Sequence, residues 1–158
     1  MLIIDNEGRT INYNYIIGEL YIKEDEQNIR IINSYEQSTR ENKYILYKKE
    51  NESEKEIRDN CEIKINGELI PFSYFHKFNT KGKYTIKYIF EINITKANYM
   101  FYSCSSLINI NLSNFNTNNV KNIRRMFSGC SSLTNINLSN CNSNNIVDMG
   151  VCLGIAHL

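Results

Sequence analysis

A tandem repeat in the second half of the chain constrains the fold more than any other feature. Residues 100–107 read MFYSCSSL and residues 126–133 read MFSGCSSL, an offset of 126 − 100 = 26 residues. The register then continues without a gap, so that Ile110 aligns with Ile136 and Leu112 with Leu138. A period of this length is typical of solenoid proteins, in which each copy buries its apolar side only by stacking on the next.

Each copy contains a strand pattern followed by a return. Residues 107–112 read LININL and residues 133–138 read LTNINL, which is the L-x-x-L-x-L core of a leucine-rich repeat. The spacing of Val120, Ile123 and Met126 predicts a brief helical return with one face inward. We expect one buried column, with Phe101 and Phe127 packed beneath it. Its members are Leu107, Ile110, Leu112, Leu133, Ile136 and Leu138.

The repeat resembles a known family. Met-Phe, Cys-Ser-Ser-Leu, Leu-Ser-Asn-Phe-Asn and Asn-Asn-Val follow one another as in the BspA-type leucine-rich repeats of bacterial and protist surface proteins, over residues 93–149. The resemblance implies a non-catalytic binding role, often adhesion to host or matrix proteins, and a place at the cell surface. Residues 150–158 do not continue the repeat register, so we expect a truncated member of that family.

Charge divides the chain into two unlike parts. Of its 18 Lys and Arg and 17 Asp and Glu, the segment 100–158 contains only Lys121, Arg124, Arg125 and Asp148. We therefore predict two domains. The first, residues 1–91, is β-rich. The second, residues 92–158, consists of a half copy at 93–99, full copies at 100–125 and 126–151, and an incomplete end.

The N-terminal domain is predicted to be a small antiparallel β-sandwich, because residues 13–91 hold about seven short β-rich stretches separated by turn signals. The clearest is a hairpin over residues 61–72 whose Asn66-Gly67 turn suits two positive φ angles. Further strands are expected at 15–22, at 29–32 beside it, and at 44–47 on an edge. A loop is expected at 34–42, and a solvated loop or one helical turn at 50–60. Gly82-x-Tyr84 resembles the late strands of immunoglobulin-like or PKD-like sandwiches, where the Tyr hydroxyl binds upstream backbone.

Sequence motifs for catalysis are absent. The chain has no G-x-S-x-G, no Gly-rich phosphate loop and no H-E-x-x-H, and its two His residues complete no zinc pattern. We therefore predict no enzyme activity, no cofactor and no metal site. The net charge of +1 gives no argument for nucleic acid as a partner. No apolar run approaches the roughly 18 residues that span a bilayer, and no signal-peptide core follows Met1, so we predict no membrane insertion and leave the location open.

Five cysteines are present, at positions 61, 104, 130, 141 and 152. Cys104 and Cys130 occupy equivalent repeat positions, and neighbouring strands about 4.8 Å apart would allow a disulfide. The alternative is two stacked free thiols in the core. The resemblance to BspA-type repeats implies a packing cysteine here, so we predict free thiols.

The exposed positions of the repeat strands are the candidate partner-binding site. They form a polar ladder of Ile108, Asn109, Asn111, Ser113, Thr134, Asn135, Asn137 and Ser139. Such a ladder can bind a protein ligand, whose identity the sequence leaves unknown, or its amides can merely satisfy one another. We predict a protein-interaction or adhesion module. The alternatives are an inert remnant of a longer repeat protein and an intracellular scaffold.

The C-terminal residues leave two outcomes open. Residues 144–149 begin a third copy, but residues 150–158 cannot complete it. Val151, Leu153 and Ile155 either fold back over the repeat as a cap, or the end frays and the chain self-associates through its open repeat. We favour self-association, because Gly150 and Gly154 weaken any short helix.

Overall fold

The central element of the computed structural model is an open, mixed sheet of six strands in the order β10-β9-β3-β8-β5-β6. The structure describes residues 3–4, 10–11, 14–142 and 144, and it is mainly β, as predicted. The strands are β1 (Ile3–Ile4), β2 (Thr10–Ile11), β3 (Asn14–Ile22), β4 (Gln27–Arg30), β5 (Cys61–Ile65), β6 (Glu68–Ile70), β7 (Phe75–Phe78), β8 (Gly82–Phe90), β9 (Leu107–Asn111) and β10 (Asn135–Asn137). The helices are α1 (Tyr35–Glu41), a 3-10 turn (Lys49–Asn51) and α2 (Glu54–Asn60). Two further strand pairs, β1-β2 and β4-β7, complete the described sheets.

Strand β3 lies in the interior of the six-stranded sheet, and its side chains alternate between the two faces. Ile16, Gly18, Leu20 and Ile22 are buried, whereas the residues between them are half-buried or exposed. This period of two places one face of the strand on the core. At Gly18 the packing is close, since a Cβ would lie 3.1 Å from Leu107 Cδ1 and that side chain would have to shift.

The sheet and the core both continue across the predicted domain boundary at residues 91 and 92. β3 pairs antiparallel with β8 on one side and with repeat strand β9 on the other. One hydrophobic cluster contains residues of both parts, including Ile16 and Tyr88 from the first and Leu107 and Ile110 from the second. The division into two domains therefore stays a prediction, and the two parts share one sheet.

Equivalent residues of the two copies lie side by side. β9 and β10 run parallel with Ile110 opposite Ile136, and the backbone N–H of Phe101 donates to Met126 O at 3.0 Å. The half copy follows the predicted alignment, because Lys96 and Asn122 form a parallel bridge. The aligned phenylalanines, Phe101 and Phe127, stack with ring centroids 5.7 Å apart and planes at 1°.

The returns between strands are chains of turns, so the prediction of brief helical returns was wrong. Val120, Ile123 and Met126 do face inward, but the segment contains turns and no helix. The reason lies in left-handed residues at repeat-equivalent positions. Tyr99 and Arg125 have φ of 61° and 52°, and Ser103 and Gly129 have φ of 60° and 79°. A positive φ interrupts a right-handed helix at each of these points.

The predicted buried column is correct at four of its six positions. Leu107, Ile110, Leu112 and Leu133 are buried, but Ile136 is half-buried and Leu138 is 48% exposed. The first copy lies between β3 and the second copy, whereas β10 is the edge strand of the described sheet. Burial in a repeat requires a neighbour on both sides, and for Leu138 the described residues supply only one.

Helix α1 occurs where a loop was predicted, and α2 occurs where a loop or one helical turn was predicted. The predicted edge strand at residues 44–47 is not a strand. Ser34 caps α1 by accepting a hydrogen bond from Gln37 N at 3.1 Å. The Glu36 carboxylate caps α2, accepting hydrogen bonds from Ser53 N at 3.0 Å and Glu54 N at 2.9 Å. β4 pairs with β7 rather than with β3, contrary to the prediction.

Two local predictions are confirmed. The hairpin turn between β5 and β6 has positive φ at Asn66 (48°) and Gly67 (89°). The Tyr84 hydroxyl donates to Thr80 O at 2.9 Å, as a corner tyrosine would. The two outcomes predicted for the C-terminal residues, a cap by Val151, Leu153 and Ile155 or a frayed end, fall on residues outside those that the structure describes.

Candidate interaction surface

The Asn residues of the predicted ladder lie in two adjacent strands. Asn109 is opposite Asn135 and Asn111 is opposite Asn137 in the parallel pairing of β9 with β10. The residues of the first copy are half-buried, and those of the second copy are exposed. The strands therefore bring the four amides together on the side of the sheet that faces away from the core.

The other predicted ladder positions have more local roles. Thr134 donates both its N–H and its Oγ1 hydrogen to Ile108 O, at 2.9 and 3.1 Å, so these two residues hold the copies together. Ser113 N donates to Asn111 Oδ1 at 2.9 Å, and Ser139 N donates to Asn137 Oδ1 at 3.0 Å. Ser113 and Ser139 thus close turns after the strands, and only their hydroxyls can serve a partner.

These side-chain turns decide which polar atoms the ladder can offer. An Asn whose oxygen accepts the N–H two residues later forms an Asx turn. Since Asn111 and Asn137 use their oxygens in this way, their amide N–H groups are the atoms that remain for a partner. The ladder therefore still offers the amide N–H groups of Asn111 and Asn137 to a partner, and whether a ligand uses them stays a prediction.

A carboxylate that the sequence analysis did not single out lies beside the ladder. Glu19 of β3 is opposite Asn109 of β9, and the Asn109 amide donates a hydrogen bond to Glu19 Oε2. Lys83 of β8 places its Nζ 3.0 Å from the same oxygen. The Asn109 hydrogen bond, and then Lys83, lower the pKa of Glu19, so this carboxyl is ionised at neutral pH.

The polar ladder continues across β3 and β8. Strand pairing places Ile17 beside Asn111 and Lys87 beside Ile17, and Lys87 Nζ lies 4.0 Å from the centre of the Tyr15 ring. We call this side of the sheet the outer face. Its members are Tyr15, Ile17, Glu19, Tyr21, Lys83, Thr85, Lys87, Asn109, Asn111, Asn135 and Asn137.

Sequence alternation alone contained the signal for the outer face. Residues 15–21 and 83–89 both alternate with period two, and their odd positions are the outer ones. What the sequence did not reveal is that β3 pairs with β9, which joins these positions to the ladder.

In the part of the chain that the structure describes, no three His, Cys, Asp or Glu side chains could together hold a metal ion. Cys104 and Cys130 are free and buried, and burial raises the pKa of the Cys130 thiol to about 12. A thiol in that state is a packing group rather than a nucleophile. None of the described helices has the length and apolarity that crossing a membrane would require.

One comparison with known proteins gave a match. A family model described as "Mycoplasma protein of unknown function, DUF285" matches residues 72–157. The match covers more than half of the chain, contains β7 to β10, and crosses the predicted boundary at residues 91 and 92. No curated protein and no solved structure matches the chain.

Proposed function

The chain belongs to DUF285, a family of Mycoplasma proteins of unknown function, and we propose that it is a non-catalytic module that binds a protein ligand through its outer face. The observation that carries the proposal is the pairing of β3 with β9. This pairing extends the polar ladder of the repeat onto a surface with aromatic and charged side chains, such as Tyr21 and Lys83.

The size of the outer face supports the proposal. Two repeat strands alone would span about 5 Å, whereas the four strands that carry the outer face, at about 4.8 Å spacing, span about 14 Å. A stable protein interface needs roughly 800 Å² from each partner. The pairing of β3 and β8 with the repeat strands therefore moves the available surface toward that area.

The composition of the outer face also suits a protein partner. Tyr21 is 52% exposed and can supply contact area, and tyrosine is enriched in protein interfaces. The amide N–H groups of Asn111 and Asn137 can donate hydrogen bonds to a partner. Glu19 and Lys83 form a charge pair, which would orient a partner more than it would strengthen binding. The resemblance to BspA-type repeats adds adhesion to a host or matrix protein as the form this binding takes.

For the architecture, we propose that the two copies are part of a leucine-rich-repeat solenoid of the BspA type. Parallel pairing at a spacing of 26 residues and the stacked Phe101 and Phe127 rings support this. The open edge at β10, with Leu138 exposed, is where a further copy or a second molecule would add. Self-association through this edge remains a prediction.

The binding proposal is tested by charge changes that preserve the fold. In Asn135→Asp/Asn137→Asp, the Asp at 137 still accepts the Ser139 N–H, while the amide donors become carboxylate oxygens. The matched control is Asn28→Asp/Asn119→Asp, which makes the same charge change at two exposed positions off the outer face. Binding to purified extracellular-matrix proteins and to cultured host cells is measured for wild type and both variants.

We expect wild type and the control to bind alike and the ladder variant to bind at least about tenfold more weakly, a loss of about 1.4 kcal/mol. Equal binding by the two variants would exclude the ladder as the contact surface. Failure of the wild-type chain to bind any of these matrix proteins or cells would exclude adhesion.

A further inference from the structure

A second candidate site lies away from the outer face and is independent of the proposed function. A cavity of about 220 Å³ opens between the segment that follows α1 and the turns of the half copy and the first full copy of the repeat. Six of the lining residues are aromatic or cationic: Tyr35, Tyr44, Lys48, Tyr99, Arg124 and Arg125. None of the lining residues belongs to a strand, and none is Asp or Glu.

Arg125 is the residue that points to a ligand. Its Nε is buried and has no hydrogen-bond acceptor among the described residues. Buried polar atoms nearly always have a partner, so an unpaired guanidinium N–H in a cavity wall indicates a missing acceptor. Arg125 also has a backbone φ of 52°, in the left-handed region that residues other than glycine rarely adopt.

The nearby carboxylates are engaged elsewhere. Glu36 accepts the first N–H groups of α2, and Glu52 accepts a hydrogen bond from the Tyr47 hydroxyl. Burial raises the pKa of Tyr99, and Tyr99 lines the cavity together with Arg124 and Arg125. The cavity wall therefore contains cationic side chains, and no Asp or Glu of the described residues lines it.

The aromatic wall is held in place before any ligand arrives. The Tyr35 hydroxyl donates to Leu46 O and accepts from Lys48 N, both at 2.6 Å, so it fixes the segment that carries Tyr44 and Lys48. The Tyr35 ring contacts the Tyr99 ring edge-on, with centroids 5.3 Å apart. A prearranged wall lowers the entropy cost of binding.

We propose that this cavity binds a phosphate or sulfate monoester carried on a single ring. Arg recognises a tetrahedral oxyanion through paired N–H groups, and Lys48 adds a point charge. Tyrosine faces pack against an aromatic ring or the apolar face of a sugar. The volume lies below the roughly 300–1,000 Å³ of pockets for drug-sized ligands, which fits one ring and its oxyanion.

The test uses isothermal titration of the full chain with four probes: O-phospho-L-tyrosine, tyrosine O-sulfate, glucose 6-phosphate and inorganic phosphate. Comparing the affinities of the two tyrosine esters with that of glucose 6-phosphate tells whether the oxyanion is carried by a modified tyrosine or by a sugar. The key variant is Arg125→Gly, because glycine accepts a φ of 52° without strain and the melting temperature should hold or rise. Arg125→Lys keeps the charge, and Arg58→Gln removes an exposed guanidinium that does not line the cavity.

We expect wild type and Arg58→Gln to bind a ring-bearing probe with equal affinity, Arg125→Lys to bind more weakly, and Arg125→Gly to lose at least about tenfold in Kd. Lys48→Gln, which changes an exposed side chain and should leave the fold unaltered, should also weaken binding, more so at low salt. The proposal is overturned if wild type shows no binding of any probe at concentrations up to about 10 mM, since a Kd above that value corresponds to negligible affinity. It is also overturned if Arg125→Gly binds as tightly as wild type, or if inorganic phosphate binds as well as every ring-bearing probe.

Discussion

The amide of Asn109 donates a hydrogen bond to the carboxylate of Glu19, a residue 90 positions earlier in the chain. This bond joins the outer face of a repeat strand to the central strand of the sheet, β3. It lies above the continuous hydrophobic core that the two parts share. The repeat is therefore attached to the preceding sheet by backbone pairing, core packing and a charged hydrogen bond.

This bond predicts a pH-dependent contribution to stability. The pKa of Glu19 is lowered in the folded state, so its stabilising effect is present above the ordinary Glu pKa of about 4.3 and is lost as pH falls through the lower folded value. We expect Glu19→Gln to unfold at lower urea concentration than wild type at pH 7, and the difference to shrink as the pH is lowered toward 3. The exposed Glu24→Gln is the control and should match wild type at both values. An E19Q defect that persisted unchanged at pH 3 would mean that the lost contact is not ionic.

The two copies supply a matched pair for measuring what stacking contributes. Leu112 is 2% exposed and Leu138 is 48% exposed, yet they hold the same place in the repeat. We expect Leu112→Ala to lower the free energy of unfolding by about 2–5 kcal/mol, because it leaves a cavity between β3 and the second copy. Leu138→Ala should cost less than about 1 kcal/mol, as for partly exposed positions. Chemical denaturation of both variants checks this, and similar losses would show that Leu138 is covered.

The thiols give a prediction about reactivity. Cys104 and Cys130 are free and buried, and Cys130 Sγ donates to Phe101 O at 3.0 Å. Burial raises the pKa of each of these thiols, so the reactive thiolate is scarce near neutral pH. Under native conditions at pH 8, half-buried Cys141 should therefore be alkylated before Cys104 and Cys130. Mass spectrometry of timed samples measures the order, and a crosslinked Cys104–Cys130 peptide as the main species would contradict the prediction.

The sequence predicted the repeat well because its signals are local and periodic. The strand cores at 107–112 and 133–138 and the Asn66-Gly67 turn follow from patterns within a few residues. Long-range pairing was not predictable in the same way. Nothing in residues 14–22 indicates that β3 pairs with β9, and this pairing makes the outer face continuous with the ladder.

Helices α1 and α2 both have a helix-start pattern in the sequence. Ser34 is followed at the third position by Gln37, and Ser53 by Glu56, which are both capping-box patterns. In the structure Ser34 does cap α1, but the side chain of Ser53 makes no cap hydrogen bond to α2. The N–H groups at the start of α2 donate instead to Glu36, a residue of α1. The second helix thus depends on a tertiary contact that no local pattern can reveal.

That contact leads to a prediction about how the two helices depend on each other. The Glu36 carboxylate satisfies the N–H groups of Ser53 and Glu54 and places a negative charge at the positive end of α2. We expect Glu36→Ala to reduce the free energy of unfolding by about 0.5–2 kcal/mol, the usual cost of a lost N-cap. Since buried Ile57 holds α2 against the core, the loss should appear as faster hydrogen exchange at residues 54–60. Glu50→Ala removes an exposed acid from the same region and serves as the control. If both variants exchange like wild type at α2, Ser53 or water replaces the carboxylate and the helix does not depend on Glu36.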